Sequence, residues 1–363
     1  MYFLNGPVRP VFAISMKVNV KLTLLSFFTA FILCACGEEK LPPPDVNGLQ
    51  SPVTLVRFDR ALMALDTGNL TTDVAALEAR FPDFTDTYLR YILPIRRGDF
   101  SPEEQGMMLK AFLTFPLITE VDSVIRQRFT DEALEQQRAD FEQALRYYRY
   151  YLPAAERPDT LLTFFSQFEV AAALYGENDI AAGLEFFLGP DYNYQGVDPR
   201  ETIFSSYLAR TYTPEHMTAK LMRTLIQEEV PAPRGGRLID QLIYEGKKLY
   251  LLEKVLPFTP DSILQEVTAP QMAWLKNNEI AIYAHLQKEQ MLYSTDATLI
   301  RKMTQPAPSS QGMPVESPGG AVNYLGKRIV EAYVTANPKV TMPELMGLVD
   351  GQVVLAGARY KPK

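Results

Sequence analysis

The sequence predicts an α+β fold, predominantly α-helical with one small antiparallel sheet, in a single body of roughly 310 residues from Pro52 to Lys363. Three observations carry that reading. Apolar residues recur at helical intervals through most of the chain. Capping residues and prolines mark where the helices start. Only between Thr160 and Leu188 does the pattern change, to short apolar runs separated by turn residues. Residues 52–155 therefore form a helical N-terminal part, and 156–363 combine the sheet with further helices. With 47% hydrophobic residues, a body of this size buries about three quarters of its unfolded surface, enough for one large domain.

In chain order, Val53 to Phe58 reads as a short extended segment. Leu70 to Phe81 sets Val74, Leu77 and Phe81 on one face, with Thr71 or Thr72 able to cap and Pro82 ending the run. Ser101-Pro102-Glu103-Glu104 opens a helix with a capping box, and Met107, Met108, Ala111, Phe112 and Phe115 follow at helical spacing. A further helix covers Pro116 to Arg128. Thr130 then caps a long one in which Leu134, Phe141, Leu145, Tyr148 and Leu152 recur. Leu161 to Phe165, Phe168 to Leu174 and Ile180 to Phe187 are three strands of the antiparallel sheet, with Gly176-Glu177-Asn178-Asp179 as turn chemistry. Helices resume at Glu201 to Tyr212, then from Thr213-Pro214-Glu215 to Val230, Leu238 to Leu256, and Thr268 to about Leu292. A loop rich in Pro, Ser and Gly, Gln305 to Gly320, precedes a last pair near Ala321 to Ala336 and Met342 to Asp350. No internal repeat is apparent.

The N-terminal segment has the form of a lipoprotein signal. Lys17 and Lys21 supply the basic residues, Leu22 to Leu33 the apolar stretch, and Leu33-Cys34-Ala35-Cys36 the small residues before a cysteine that accepts lipid. The apolar stretch is shorter than the about 20 residues that span a bilayer, and no stop-transfer signal follows, which disfavours a transmembrane anchor. A signal peptide cut elsewhere would leave Cys36 without purpose. Residues 1–35 are thus the signal peptide, 1–15 fitting it poorly enough to suggest a true start at Met16. Cys36 is the lipidated first residue of the mature chain, and residues 36–51 form a tether in which Pro42 to Pro44 favour an extended polyproline path. Gly37 is not the aspartate that retains lipoproteins at an inner membrane, which favours the outer one.

Cleavage before Cys36 removes three bases and no acid, taking the formal charge from −7 to −10. A nucleic-acid partner is disfavoured at that balance. No cysteine follows Cys36, so the body has neither an internal disulfide nor thiolate chemistry. The nucleophile elbow, the phosphate-binding loop and the dinucleotide fingerprint are all missing from the sequence. The two histidines, His216 and His285, lack the spacing of a His-Glu-x-x-His zinc helix. His216 reads as a solvated residue in the first turn of a helix, His285 as a half-buried packing residue and Trp274 as core.

The lipid-acceptor motif, the segment Leu161 to Gly189, the string Leu238-Ile239-Asp240-Gln241-Leu242-Ile243-Tyr244-Glu245-Gly246-Lys247-Lys248-Leu249-Tyr250, and Glu316-Ser317-Pro318-Gly319 to Gly326 together resemble the GldB family of gliding-motility lipoproteins. The similarity extends to Tyr360-Lys361-Pro362-Lys363. It implies an accessory of surface gliding, held by its lipid at the outer membrane on the periplasmic face, with gliding and type IX secretion components as partners.

More distantly, the layout is similar to predicted zinc peptidases in which a sheet precedes a His-Glu-x-x-His helix and a second helix supplies a glutamate. That similarity implies a degenerate zincin-like arrangement. The histidine motif is missing among Lys220 to Leu225, and Glu245 remains as a remnant ligand, although read alone it is an ordinary solvated helix residue. One carboxylate cannot hold zinc, so the expectation is a pseudoenzyme without cofactor or catalytic residue. A competing expectation is a metal-dependent hydrolase with His216, Glu245 and His285 as an unusual ligand set.

Overall fold

The extended segment after Pro52 becomes an edge strand, β1 (Thr54–Arg57), and leads directly into helix α1 (Phe58–Met63). The computed structural model describes residues 42–176 and 179–363. Cys36, the expected signal peptide and the start of the expected tether lie outside the described residues. The expected tether is shorter than residues 36–51: Val46 and Ser51 are buried, Leu49 packs on the core, and the Arg149 guanidinium donates to the Gln50 carbonyl. From Val46 onward the chain lies against the body.

The N-terminal part is helical. It comprises α2 (Leu70–Arg80), α3 (Pro82–Thr87), which runs into one π-helical turn (Tyr88–Ile92), α4 (Pro102–Leu113), α5 (Pro116–Arg128) and α6 (Asp131–Tyr151). The capping box of α4 is formed: the Glu104 amide donates to Ser101 Oγ at 3.3 Å, and the Ser101 amide to Glu104 Oε2 at 2.7 Å. Thr130 caps α6 by accepting from the Ala133 amide.

The sheet is mixed, which corrects the antiparallel expectation. Strands β2 (Thr160–Phe164), β3 (Ala172–Tyr175) and β4 (Asp179–Gly183) join β1 in the order β1-β2-β4-β3. β1 and β4 flank β2 in parallel, and β3 alone runs antiparallel, against β4. The apolar runs are real, but period and turn residues carry no information on pairing order. Residues 165–171 take the chain from β2 past the site of β4 to the far edge, so β4 returns between them, parallel to β2. β2 and β4 are buried almost throughout, as central parallel strands are. Two strand boundaries also move. Gln167 and Phe168 adopt left-handed conformations and hold the start of β3 back to Ala172. β4 ends at Gly183, where a β-carbon would sit 2.2 Å from the Val170 carbonyl oxygen so that only glycine fits, and Leu184–Phe187 turn into a 3₁₀ helix.

Beyond the sheet, the helix expected over Glu201 to Tyr212 contracts to a 3₁₀ turn at Thr202–Phe204 and the single turn of α7 (Ser206–Ala209), separated by the extended backbone of Ser205. Next come α8 (Pro214–Glu229), α9 (Leu238–Val255), α10 (Asp261–Leu264), α11 (Ala269–Asn277), α12 (Glu279–Lys288), α13 (Ala297–Thr304) and α14 (Ala321–Ala336). The one helix expected from Thr268 to Leu292 is broken at Asn278, whose side-chain amide turns back to the Trp274 carbonyl. The last expected helix, Met342 to Asp350, shortens to α15 (Met342–Met346), and a helix not expected from the sequence follows it, α16 (Gly351–Ala358), capped by Asp350 accepting from the Gln352 amide.

Helix α9 is the axis of the C-terminal half. It crosses α14 where Gly246 meets Gly326, and Gly351 at the start of α16 lies against the Ile239 carbonyl. Its polar residues are buried with partners. Lys247 donates to the Met346 and Leu348 carbonyls at 2.7 Å each, and burial pushes its ammonium down to about 8. Asp240 accepts from Arg237 and from the Gly351 amide.

Candidate functional site

The helix that would have borne the zinc motif is α8, and its residues from Lys220 to Leu225 split between two environments. Leu221, Met222 and Leu225 point into the core. Lys220 and Arg223 point the other way, to a half-buried carboxylate, Glu266, with Lys220 Nζ 2.8 Å and Arg223 Nε 3.9 Å from it. Glu266 adopts a left-handed conformation just beyond α10, and Arg210 donates to its carbonyl at 3.2 Å. Despite the cost of burial, the two cations hold the Glu266 carboxyl down to about 2. His216, one turn earlier on α8, shares a hydrogen with Thr213 Oγ1 at 2.9 Å. Burial first, then Lys220, depress its imidazole to about 4, so it is neutral at physiological pH rather than the solvated residue the sequence suggested.

Glu245 occupies a second, separate cluster near the C-terminal end of α8. Its Oε1 accepts from Lys248 Nζ at 2.8 Å and Gln241 Nε2 at 3.1 Å. Lys248 also donates to Gln227 Oε1 at 2.9 Å and lies 4.3 Å from the centre of the Tyr244 ring. An ammonium thus already sits on the carboxylate read as a remnant zinc ligand. His285 on α12 lies in a third neighbourhood, with Nε2 buried and against Gly312. The set His216, Glu245 and His285 is therefore not brought together. Among the described residues no three of His, Cys, Asp and Glu converge to hold a metal ion. The donors do not fit zinc: cations and apolar side chains stand where imidazoles would be needed. Trp274 is half-buried and packs against the core, as expected.

Besides Glu266, the sequence reading missed a second polar centre. Glu185 is fully buried in the 3₁₀ turn after β4. Its Oε1 accepts from the Ser166 hydroxyl, the Ser166 amide at 2.7 Å and the Phe168 amide at 3.0 Å, while Oε2 has no partner among the described residues. Burial raises this carboxyl to about 7. The two left-handed residues Gln167 and Phe168 are what aim those donors at it. Tyr194 closes the site by donating to the Glu185 carbonyl and accepting from the Leu188 amide, both at 2.9 Å. An acid inside the run Leu184-Glu185-Phe186-Phe187 was the available signal, masked by reading that run as strand.

Compared with known families, residues 39–362 match the one described as gliding motility protein GldB. Neither the comparison with curated proteins nor that with solved structures returned a match. The match takes in every helix and strand described above, and the chain belongs to the GldB family of gliding motility proteins.

Proposed function

We propose that this gliding-motility-related protein is a lipid-anchored envelope component that works by binding other parts of the gliding and type IX secretion apparatus, without catalysis. The observation that carries the reading is the family match over residues 39–362, immediately preceded by the Leu33-Cys34-Ala35-Cys36 motif. Lipidation of Cys36 would hold the body at the outer membrane, on the periplasmic face. That no helix of the described residues is long and apolar enough to cross a membrane is compatible with a lipid as the attachment.

The non-catalytic reading is supported by the chemistry of α8 and α9. On and beside these two helices His216 is tied to Thr213, Glu266 is paired with two cations and Glu245 is paired with Lys248, so each group already has a protein partner. The position of Glu245 on the helix after α8 supports descent from a zincin-like ancestor whose ligands were replaced by cations.

Cys36→Ser tests the anchor. Expressed from its own locus in a gliding host, the variant should lose palmitate labelling, accumulate as precursor and fail to restore spreading to a deletion strain. Normal labelling of Cys36→Ser would refute the lipid-acceptor assignment, and full spreading by the unlabelled variant would refute the need for the anchor.

A further inference from the structure

The loop Gln305–Gly320, set aside above as a connection, is built rather than loose. Ser310 is buried at its centre: its hydroxyl donates to the Pro318 carbonyl at 2.7 Å and accepts from the Ala321 amide at 3.2 Å, while its amide donates to Ser317 Oγ. Gly319 lies so close to Ala307 that a β-carbon would come within 2.3 Å of the Ala307 amide nitrogen, and only glycine permits that approach. The loop is thereby folded on itself and tied to the start of α14, and between its first residues and the end of α13 opens a groove of about 290 Å³.

The lining of the groove has one sign. Arg301 and Lys302 reach it from α13, and Gln305, Ser309 and Gln311 from the loop; no carboxylate takes part. Among the described residues neither cation has an ion-pair partner, whereas Lys220, Lys248, Lys327 and Arg328 all do. Two of the carbonyls at the C-terminal end of α13, which would repel an anion, are occupied: Asn323 donates to Thr304 at 2.7 Å and the Gln305 amide to Arg301 at 3.0 Å. Two unpaired cations beside amide and hydroxyl groups offer the charge and the hydrogen-bond donors that a carboxylate requires.

We propose that this groove receives an acidic peptide segment of a partner protein, its carboxylates against Arg301 and Lys302 and its backbone against Gln305, Ser309 and Gln311. The body as a whole carries the charge of an acidic protein, so an extended anionic surface such as a bilayer or a nucleic acid is repelled. A short segment within about 8 Å of the two cations feels chiefly them, since salt screens the remainder. The inference deepens the binding reading above and rests on it.

Fluorescence anisotropy of the full chain in detergent, with a fluorescein-labelled Asp-Ser-Glu-Asp-Ser-Glu peptide as probe, tests it. The acidic peptide should bind, and its Asn/Gln counterpart should bind at least tenfold more weakly. Arg301→Glu with Lys302→Glu should reduce binding at least tenfold. Lys110→Glu with Lys339→Glu, which makes the same change in net charge elsewhere, should alter it less than threefold. Equal binding of both peptides, equal losses in both double variants, or binding to phosphatidylglycerol vesicles in place of the peptide would each overturn the proposal. None of these results touches the Cys36→Ser experiment, so the anchor reading stands or falls separately.

Discussion

Gly246 on α9 and Gly326 on α14 meet backbone to backbone: a β-carbon on Gly246 would lie 2.3 Å from the Gly326 carbonyl carbon, and one on Gly326 2.0 Å from the Leu242 carbonyl oxygen. The obstructing atoms are main chain, so neither helix can yield by a rotamer change. Gly246→Ala should therefore destabilise the body by about 3 kcal/mol, the upper range for overpacking, although alanine is the better helix former. Chemical denaturation measures it; a neutral or stabilising outcome would show that the two helices separate at little cost.

Gly106 presents the opposite case. It lies inside α4, and a β-carbon there meets nothing within 4 Å. The glycine costs about 1 kcal/mol of helix propensity with no packing return in this chain. Gly106→Ala should raise the melting temperature by about 2 °C. A decrease would mean that α4 is held by contacts other than those described.

Glu185 and His216 should impose opposite pH dependences on stability. Glu185 is raised to about 7, so the folded chain holds its proton more tightly than the unfolded one. Its contribution is complete below the ordinary glutamate range and is lost as pH rises toward 7. His216 is lowered to about 4, so its contribution is complete above the ordinary histidine range and is lost as pH falls toward 4. Between these limits the two slopes oppose each other. Glu185→Gln removes the first, and its melting temperature relative to the parent should climb steadily from pH 4.5 to 7. Parallel melting curves for parent and variant over that range would exclude Glu185 as the titrating group.

Glu245 should be indifferent to zinc. With Lys248 2.8 Å from Oε1, a divalent ion would have to displace an ammonium and find imidazoles that are not there. Zinc added to the chelator-treated protein should leave the melting temperature unchanged, and Glu245→Gln should behave as the parent does. Stoichiometric zinc in the purified protein, lost in Glu245→Gln, would restore the hydrolase reading.

The helices were largely legible because their signals are local. Ser101 with Glu104, Thr130, and the apolar stripes of α5 and α6 act within one or two turns, and the structure keeps them. The sheet was legible only as apolar runs, because the parallel pairing of Thr160 with Asp179 depends on where residues 165–171 carry the chain. Asn278 illustrates a shorter-range failure: the apolar period continues through it, but its amide satisfies Trp274 and ends the helix. At the candidate sites, the histidine count directed attention away from a zinc helix. Glu266 and Glu185 escaped notice because the partners of their carboxylates, Lys220 and Ser166, lie 46 and 19 positions away.

Tension on the body from its N-terminal side would load the contacts of Val46, Leu49 and Gln50 first and then reach β1. That strand lies at the sheet edge, and its register with β2 runs from Thr54–Thr160 to Arg57–Thr163. At its far end Arg57 grips Asp59 through Nε and Nη2 at 2.9 and 2.6 Å, and Asp59 in turn accepts from Thr163 of β2 at 2.6 Å. Pulling along the strand therefore shears the ladder bonds and this buried ionic latch together, whereas a sideways pull would peel them one at a time. The first secondary-structure element of the body would therefore resist a pull along its own axis better than one across it.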